Sequence, residues 1–338
     1  MEGVCDSNIL YICCMINVSI LVLKKAVVAS IADCQYVFTM VNSFLEEKGK
    51  ERLFNVQLVG ITKEVTFNQG SFVIHTDKLL NEATENNLII IPALDGIMTA
   101  VVHLNKDYAH WIAEQYKEGA EVASLSSGVF ILAFSGLLNG KECTTHWLNA
   151  NELRYFYPSI HVVDEKMITD QHGLYSSGGS NAYWNLLMHL VEKYAGREMA
   201  IYTAKYFVID LDKNFQSPFV VFHGLKDHED TTIKDAQAHI EQHYKEKFTV
   251  DQLAAKFNLT RRTFERRFKK ATRNTVAEYI QRVKIEGAKK QLEIGRKSIN
   301  EIMINVGYSD TQTFRDIFKR ITGVTPVDYK SKYARKGR

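Results

Sequence analysis

The sequence predicts an α/β domain built as a doubly wound parallel sheet, followed by an all-α domain with two helix-turn-helix motifs. Three observations point to that order. Short apolar runs alternate with helical patterns as far as Tyr194. Beyond residue 235 one amphipathic pattern occurs twice, at a shift of 49 to 50 positions. The charge divides at the same place: from Asp235 onward 24 Lys and Arg face 12 Asp and Glu, whereas residues 1–234 hold 18 against 27. A net +12 behind a net −9 suggests a basic module for a polyanion joined to an acidic domain that its own charge keeps off DNA.

At 338 residues and 46% hydrophobic the chain can bury two or three cores, and four prolines with no low-complexity tract argue against long disorder. The boundaries expected are a loose extension over 1–14, an α/β domain over 15–212, a linker over 213–234 and a helical domain over 235–334. The apolar run from Ile9 to Leu23 is too short to span a bilayer. It is interrupted by Asn17 and Ser19 and follows Glu2 and Asp6, so neither a membrane segment nor a signal peptide is expected. Met15 is a second candidate start. Five cysteines (5, 13, 14, 34 and 143) fit no disulfide framework or zinc spacing, which favours a reducing cytoplasm.

In chain order, Val18 to Leu23 reads as a buried strand and Ala32 to Lys48 as a helix ended by Gly49. "FNVQLVG" is a strand, and "NNLIIIPALDG" is the strongest buried strand, closed by a Pro/Asp/Gly turn. A helix over 110–117 precedes "AEVASLSS", a strand feeding a helix from Gly128 to Leu138. "KECTTHW" is again strand-like, Asn149 to Tyr155 helical, "HVVDEKMITDQHGLYSSGG" a hairpin and Asn181 to Tyr194 a long helix. In such sheets ligands bind outside the carboxyl ends of the strands. Three loops should converge there: Ala93-Leu94-Asp95-Gly96, Ser126-Ser127-Gly128 and Ser177-Gly178-Gly179.

Ser126 raises the question of catalysis. A serine needs a positioned base, a hydrolase elbow reads Gly-x-Ser-x-Gly, and position 124 is serine, although Gly128 supplies the second glycine. His146 is the available base, but no orienting acid is evident. The better reading is a binding crevice with Ser126, Ser127, His146 and Trp147 on its walls, Asp95, Gly96, Gly178 and Gly179 on the flanking loops, and the Ser127 and Gly128 amides as donors to a carboxylate or carbonyl oxygen. Gly178 and Gly179 lack a dinucleotide spacing and mark a tight turn. His239 and His243 stand four apart but lack a third ligand, so no metal is expected and the pair reads as a solvated face. "HGLKDHED" over 223–230 reads as a hydrated connection. No cofactor is expected.

In the basic region "VDQLAAKFNLTRRTFERRFKKATR" matches "INEIMINVGYSDTQTFRDIFKRITG". Each copy is a short helix, a turn at Asn258 or Gly307, and a second helix for which Thr260 or Ser309 is the expected N-cap. Phe264, Phe268, Phe314 and Phe318 lie on inner faces by their i,i+4 spacing. The outer faces carry Arg261, Arg262, Glu265, Arg266 and Lys269, and then Thr311, Gln312, Arg315, Asp316 and Lys319. Arginine reads guanine and glutamine adenine in the major groove, while Lys and Arg also neutralise phosphates.

"VASLSSGVFILAFSGLLNGKECTTHW" resembles the elbow-and-strand segment of PfpI-type, class I glutamine amidotransferase-like domains. It is closer still to the variant fused to AraC-type regulators, the GlxA-like subfamily. Thr144, Thr145, His146 and Trp147 stand intact, but Ser126 occupies the place of the enzymes' cysteine nucleophile. "GYSDTQTFRDIFKRITGVTPVDYK", 307–330, resembles the signature of the AraC DNA-binding domain. The first copy departs from it, with Arg273 where Gly is usual and Val276 where Pro is. A helix from Thr275 to about Ile294 would join the copies, setting two recognition helices into successive major grooves about one turn (~34 Å) apart.

The resemblance runs from about residue 16 to 334. It implies a flavodoxin-like sensor domain and a one-component transcriptional regulator that is not an enzyme. The partners it implies are double-stranded promoter DNA, a small effector of the nitrogenous kind, a second copy of the chain through the N-terminal domain, and RNA polymerase, with no membrane. The rivals are an amidohydrolase or amidotransferase with a DNA-binding tail, and a ligandless dimerisation module on a DNA-binding protein.

Overall fold

The computed structural model describes residues 15–179, 181–211, 216, 221–222, 224–226 and 228–334. The expected extension over 1–14 and much of the expected linker lie outside the described residues. The chain divides into two compact units, Met1–Gln216 and Ser217–Arg338.

The first unit begins with β1 (Ile16–Leu21), α1 (Val28–Glu47), β2 (Phe54–Gly60), a hairpin of β3 (Glu64–Phe67) and β4 (Phe72–His75), and β5 (Lys78–Leu79). Then come β6 (Leu88–Ile91), α2 (Met98–Leu104), α3 (Lys106–Lys117), β7 (Glu121–Ser124) and α4 (Val129–Phe134). It ends with β8 (Glu142–Cys143), α5 (Ala150–Phe156), β9 (His161–Val162), β10 (Ile168–Gln171), β11 (Leu174–Ser177), α6 (Tyr183–Ala195) and α7 (Arg197–Tyr206). Seven strands form one sheet in the order β10-β11-β7-β6-β1-β2-β5, all parallel except β10 against β11.

Burial on both faces explains the near-continuous apolar runs of β1 and β6, in register as Val18 with Leu88 and Ile20 with Ile90. The helices form two packed groups, α1 with α6 and α7, and α2 with α3 and α4. The fold is the predicted doubly wound sheet. Its strand order reverses between β1 and β6, which places the ligand crevice of such folds at their carboxyl ends.

Two expectations fail locally. The helix after the elbow stops at Phe134, well short of Leu138, because the chain turns through Gly136 at φ +82°. Only Glu142 and Cys143 of "KECTTHW" pair as a strand. Thr144 leaves the ladder: its amide donates to Ser176 Oγ at 2.7 Å and its hydroxyl to the Lys166 carbonyl at 2.9 Å. The β3–β4 hairpin, α2 and α7 were not legible as separate elements.

The second unit is helical throughout. It consists of α8 (Thr231–Gln242), α9 (Val250–Lys256), α10 (Arg261–Thr272), α11 (Val276–Ile294), α12 (Ile299–Asn305), α13 (Thr311–Thr322) and α14 (Pro326–Tyr333). The repeat extends to the helix ends. Thr249 and Gln252 form a capping box on α9, as Ser298 and Glu301 do on α12. Asn258 and Gly307 both take positive φ, +54° and +83°, at the turns. Thr260 caps α10 as expected, but α13 is capped by Asp310 and not by Ser309. A carboxylate facing a helix N-terminus gains from the dipole, and the Thr313 side chain and amide hold the Asp310 carboxyl below the ordinary aspartate range.

Two cores result. Phe264, Phe268, Val276 and Tyr279 belong to one; Ile285, Ala288, Leu292, Phe314 and Phe318 belong to the other. Helix α11 contributes to both, its first turns to one and its last to the second.

The described residues of "HGLKDHED" are anchored, which corrects their reading as a hydrated connection. The Leu225 carbonyl accepts from Gln237 Nε2 at 2.9 Å, and Gly224 packs against the Tyr279 ring. Asp230 caps α8 and accepts a two-pronged bond from Arg267, 2.9 Å from Nε and 2.6 Å from Nη2. His239 and His243 also depart from a solvated face. Their rings lie 4.4 Å apart, tilted by 41°, and His239 packs against Phe248, so burial lowers its pKa. Among the described residues no group of three His, Cys, Asp or Glu is placed to hold a metal, and no helix is long and apolar enough to cross a membrane.

Two outcomes are expected. Arg273 takes the left-handed conformation at φ +60° where Gly323 takes it in the second copy. Arg273→Gly removes a strain of ~1–2 kcal/mol against a glycine entropy cost of ~0.5–1 kcal/mol. The chain should therefore gain up to about 1 kcal/mol in denaturant unfolding of the second unit. The hydrogen bond from Arg267 holds the Asp230 carboxyl below its ordinary range. Its stabilisation is present at neutral pH and disappears as pH falls through the depressed folded value. Asp230→Asn should cost about 1 kcal/mol at pH 7, a difference that closes below roughly pH 4.

Candidate functional site

The first candidate lies where β6, β7 and β11 end. Strand β7 runs into a sharp turn at Ser126, whose φ is +52°, before α4 begins. That turn is possible because Gly128 rests on the preceding strand: a Cβ there would stand 2.4 Å from the Pro92 carbonyl oxygen and 2.8 Å from that of Ile91.

The three predicted loops meet. Ser127 Oγ donates to the Leu94 carbonyl at 2.7 Å and accepts from the Leu94 amide at 2.8 Å. The Ser126 amide donates to Ser177 Oγ at 3.1 Å, and the Thr145 hydroxyl to the Ser126 carbonyl at 3.0 Å. Asp95 and Gly96 follow Leu94 on the exposed rim.

Most of the expected binding groups are spent inside the protein. The Gly128 amide, read as half of a carboxylate site, donates to the Leu125 carbonyl at 2.8 Å, so the expected pair of donors is reduced to the Ser127 amide. Ser126 is 4% exposed, and its Oγ has no hydrogen-bonding partner among the described residues.

His146 is half-buried beside Trp147, with ring centroids 5.3 Å apart, and burial lowers its pKa. The Leu148 amide donates to its Nδ1 at 3.1 Å. A neutral imidazole has one N–H, which must then sit on Nε2. Nε2 is therefore a donor and faces the Gly179 backbone, 3.7 Å from where a Cβ would stand.

Gln216 was missed from the sequence. It is 2% exposed and fills the space beside Gly178, where a Cβ would meet its carboxamide at 2.6 Å. Nothing local marks it, since its partners come from loops 37 to 72 residues away.

The second candidate is the pair of outer faces on α10 and α13. Arg261, Arg262, Glu265, Arg266 and Lys269 are all exposed while Phe264 and Phe268 are buried. On α13 Gln312, Arg315, Asp316 and Lys319 are exposed and Thr311 half-exposed, over buried Phe314 and Phe318. Arg261 is tied to Asp251 at 3.1 Å and Glu265 at 3.4 Å, and Gln312 donates to Asp316 at 2.9 Å. Arg262, Arg266, Lys269, Arg315 and Lys319 make no ion pair or hydrogen bond among the described residues, and so present their charge to solvent. Arg267 is turned inward onto Asp230. A cavity of about 350 Å³ lies elsewhere in this unit, between Tyr244, Gln291 and Asn305.

Comparison with known proteins agrees with both units. The DJ-1/PfpI family profile matches residues 28–193, and that of the Helix-turn-helix domain matches residues 253–332. The HTH-type transcriptional regulator GbdR of Pseudomonas aeruginosa is 22% identical over 313 residues, 92% of this chain and 83% of its own. The Transposon Tn10 TetD protein of Escherichia coli is 35% identical over 100 residues, 30% of this chain and 72% of its own. A crystal structure of a putative transcriptional regulator protein from Vibrio parahaemolyticus shares the fold at a TM-score of 0.52 and 18% identity, covering 57% of this chain and 98% of that one. With its tandem helix-turn-helix unit behind a DJ-1/PfpI-type domain, the chain belongs to the AraC family of DNA-binding transcriptional regulators.

Proposed function

We propose that the first unit is an effector-binding and dimerisation domain without catalytic activity, and that α10 and α13 are the helices that read promoter DNA. The observation that carries the first half is the tautomer of His146. A serine nucleophile needs an unprotonated imidazole nitrogen to receive its proton and an acid on the other nitrogen to orient the ring. Here a backbone amide holds Nδ1, which leaves Nε2 protonated. Burial keeps the ring neutral near pH 7, so it donates and does not accept. Nε2–H and the Ser127 amide are two donors suited to a carboxylate or carbonyl of a small effector.

A second reading draws on the positive φ of Ser126. Strained left-handed residues cluster at functional sites, and nucleophile elbows have this shape. On this reading Ser126 would be the nucleophile of an amidohydrolase or amidotransferase. The two readings part in one experiment. The full chain and Ser126→Ala are melted with nitrogen-containing metabolites, and each mixture is assayed by mass spectrometry. Stabilisation of both proteins with the compound recovered intact is the expected result. A ligand at 100 times its dissociation constant adds about 2.7 kcal/mol. Product formed by the unaltered chain and abolished by Ser126→Ala would establish an enzyme.

For the DNA face the probe is a duplex selected by the full chain from a random pool. Arg315→Ala should weaken binding by ~1–3 kcal/mol and relax preference at one base pair. Lys319→Ala should weaken all sequences alike and lower the salt slope by about 1. Unchanged affinity in both variants would remove α13 from the interface.

A further inference from the structure

We propose that the crevice beside the elbow contains a carboxamide subsite, that the chain fills it with its own Gln216, and that this contact latches the segment leading to the DNA-binding unit. The proposal rests on the reading of the crevice as the effector site, which it deepens.

Each group around the Gln216 side chain matches a primary amide. Its Oε1 accepts from the Gly179 amide at 2.9 Å. Its Nε2 donates to the Thr145 carbonyl at 2.9 Å, to Thr144 Oγ1 at 3.2 Å and to the Lys166 carbonyl at 3.3 Å. The Gln216 backbone amide adds a bond to the Glu165 carbonyl at 2.9 Å.

One donor opposite a cluster of acceptors selects for a group with an oxygen on one side and an N–H on the other. A carboxylate would set a negative oxygen against two carbonyls, and an ammonium would leave the Gly179 amide without an acceptor. The absence of a Cβ at Gly178 lets the amide lie against the backbone. The subsite is one bond from the elbow, since Thr145 also donates to the Ser126 carbonyl, and the Gly179 that holds Oε1 lies beside His146 Nε2.

Position gives the contact its consequence. Gln216 is the last residue of the first unit. Six positions later Phe222 packs on Tyr279 at 5.1 Å, inside the second unit. An effector that presents an amide to Gly179 and Thr145 must expel Gln216, which frees the chain just before that second anchor. The free energy of effector binding is thereby linked to the state of the connecting segment.

The test uses full-length Gln216→Met, which keeps the volume and loses the bonds, together with Gln216→Ala and Gln216→Glu. The probe is propionamide, an amide with the reach of the glutamine side chain. In Gln216→Ala propionamide should raise the melting temperature and slow tryptic cleavage after Lys213, which should run about tenfold faster than in the unaltered chain. The unaltered chain, Gln216→Met and Gln216→Glu should not respond to the probe. Affinity for the selected duplex should differ between Gln216→Ala and the unaltered chain, and return with propionamide.

Gln216→Ala and Gln216→Met that melt and are cleaved like the unaltered chain, with no response to propionamide, would overturn the subsite. Rescue of stability with duplex affinity unmoved in every variant would overturn the latch. Neither result bears on whether another metabolite binds the crevice, which the melt of the unaltered chain decides separately.

Discussion

The constraint on which the DNA-binding half depends is that one helix belongs to two cores. Val276 and Tyr279 at the start of α11 are buried with Phe264 and Phe268, while Ile285, Ala288 and Leu292 further along are buried with Phe314 and Phe318. At 1.5 Å per residue its 19 residues make a strut of about 28 Å. A helix packed at both ends cannot rotate at one without unpacking the other. The separation and phase of α10 and α13 are therefore set by α11. The turns around the strut reinforce it: buried Lys284 donates to the Glu246 carbonyl at 3.1 Å and to that of Gly307 at 3.4 Å, tying a loop of the first half to the turn of the second.

The first unit obeys a different constraint, backbone approaching backbone. Gly128 lies against the carbonyls that close β6, so the elbow and the β6 loop form one surface. Ser127 cements them through both backbone groups of Leu94. The walls beside the elbow are thus held by bonds to the main chain. The same construction consumes donors that an oxyanion would need, the Gly128 amide among them. The elbow thus keeps the shape of an enzyme's nucleophile turn while its hydrogen bonds are committed to holding that shape.

Much of this was legible in the sequence because the signals are local or periodic. The repeat, the paired phenylalanines, Thr260 as a cap and the glycine-rich strand ends all follow from spacing and turn chemistry. What was not legible depends on distant partners. The cap of α13 is Asp310, which the 50-residue shift sets opposite Thr260, while Ser309 lies one position outside the helix start. Arg267 looks like its neighbours in the sequence, yet it is withdrawn from the outer face by Asp230, 37 residues earlier. Gln216 carries no pattern at all. Its importance exists only once three separate segments, at 144–145, 165–166 and 178–179, have been brought around it.

The Gln216 contact has a consequence for the proposed effector. A ligand that uses the Gly179 amide and the Thr145 carbonyl meets those groups only in the fraction of molecules whose Gln216 has swung out. Its apparent dissociation constant is the intrinsic one divided by that fraction. With about one molecule in a hundred open, an intrinsic 1 μM contact would titrate near ~0.1 mM. For the effector proposed above, weak apparent binding would then be the expected result, and a screen confined to tight binders would pass over it.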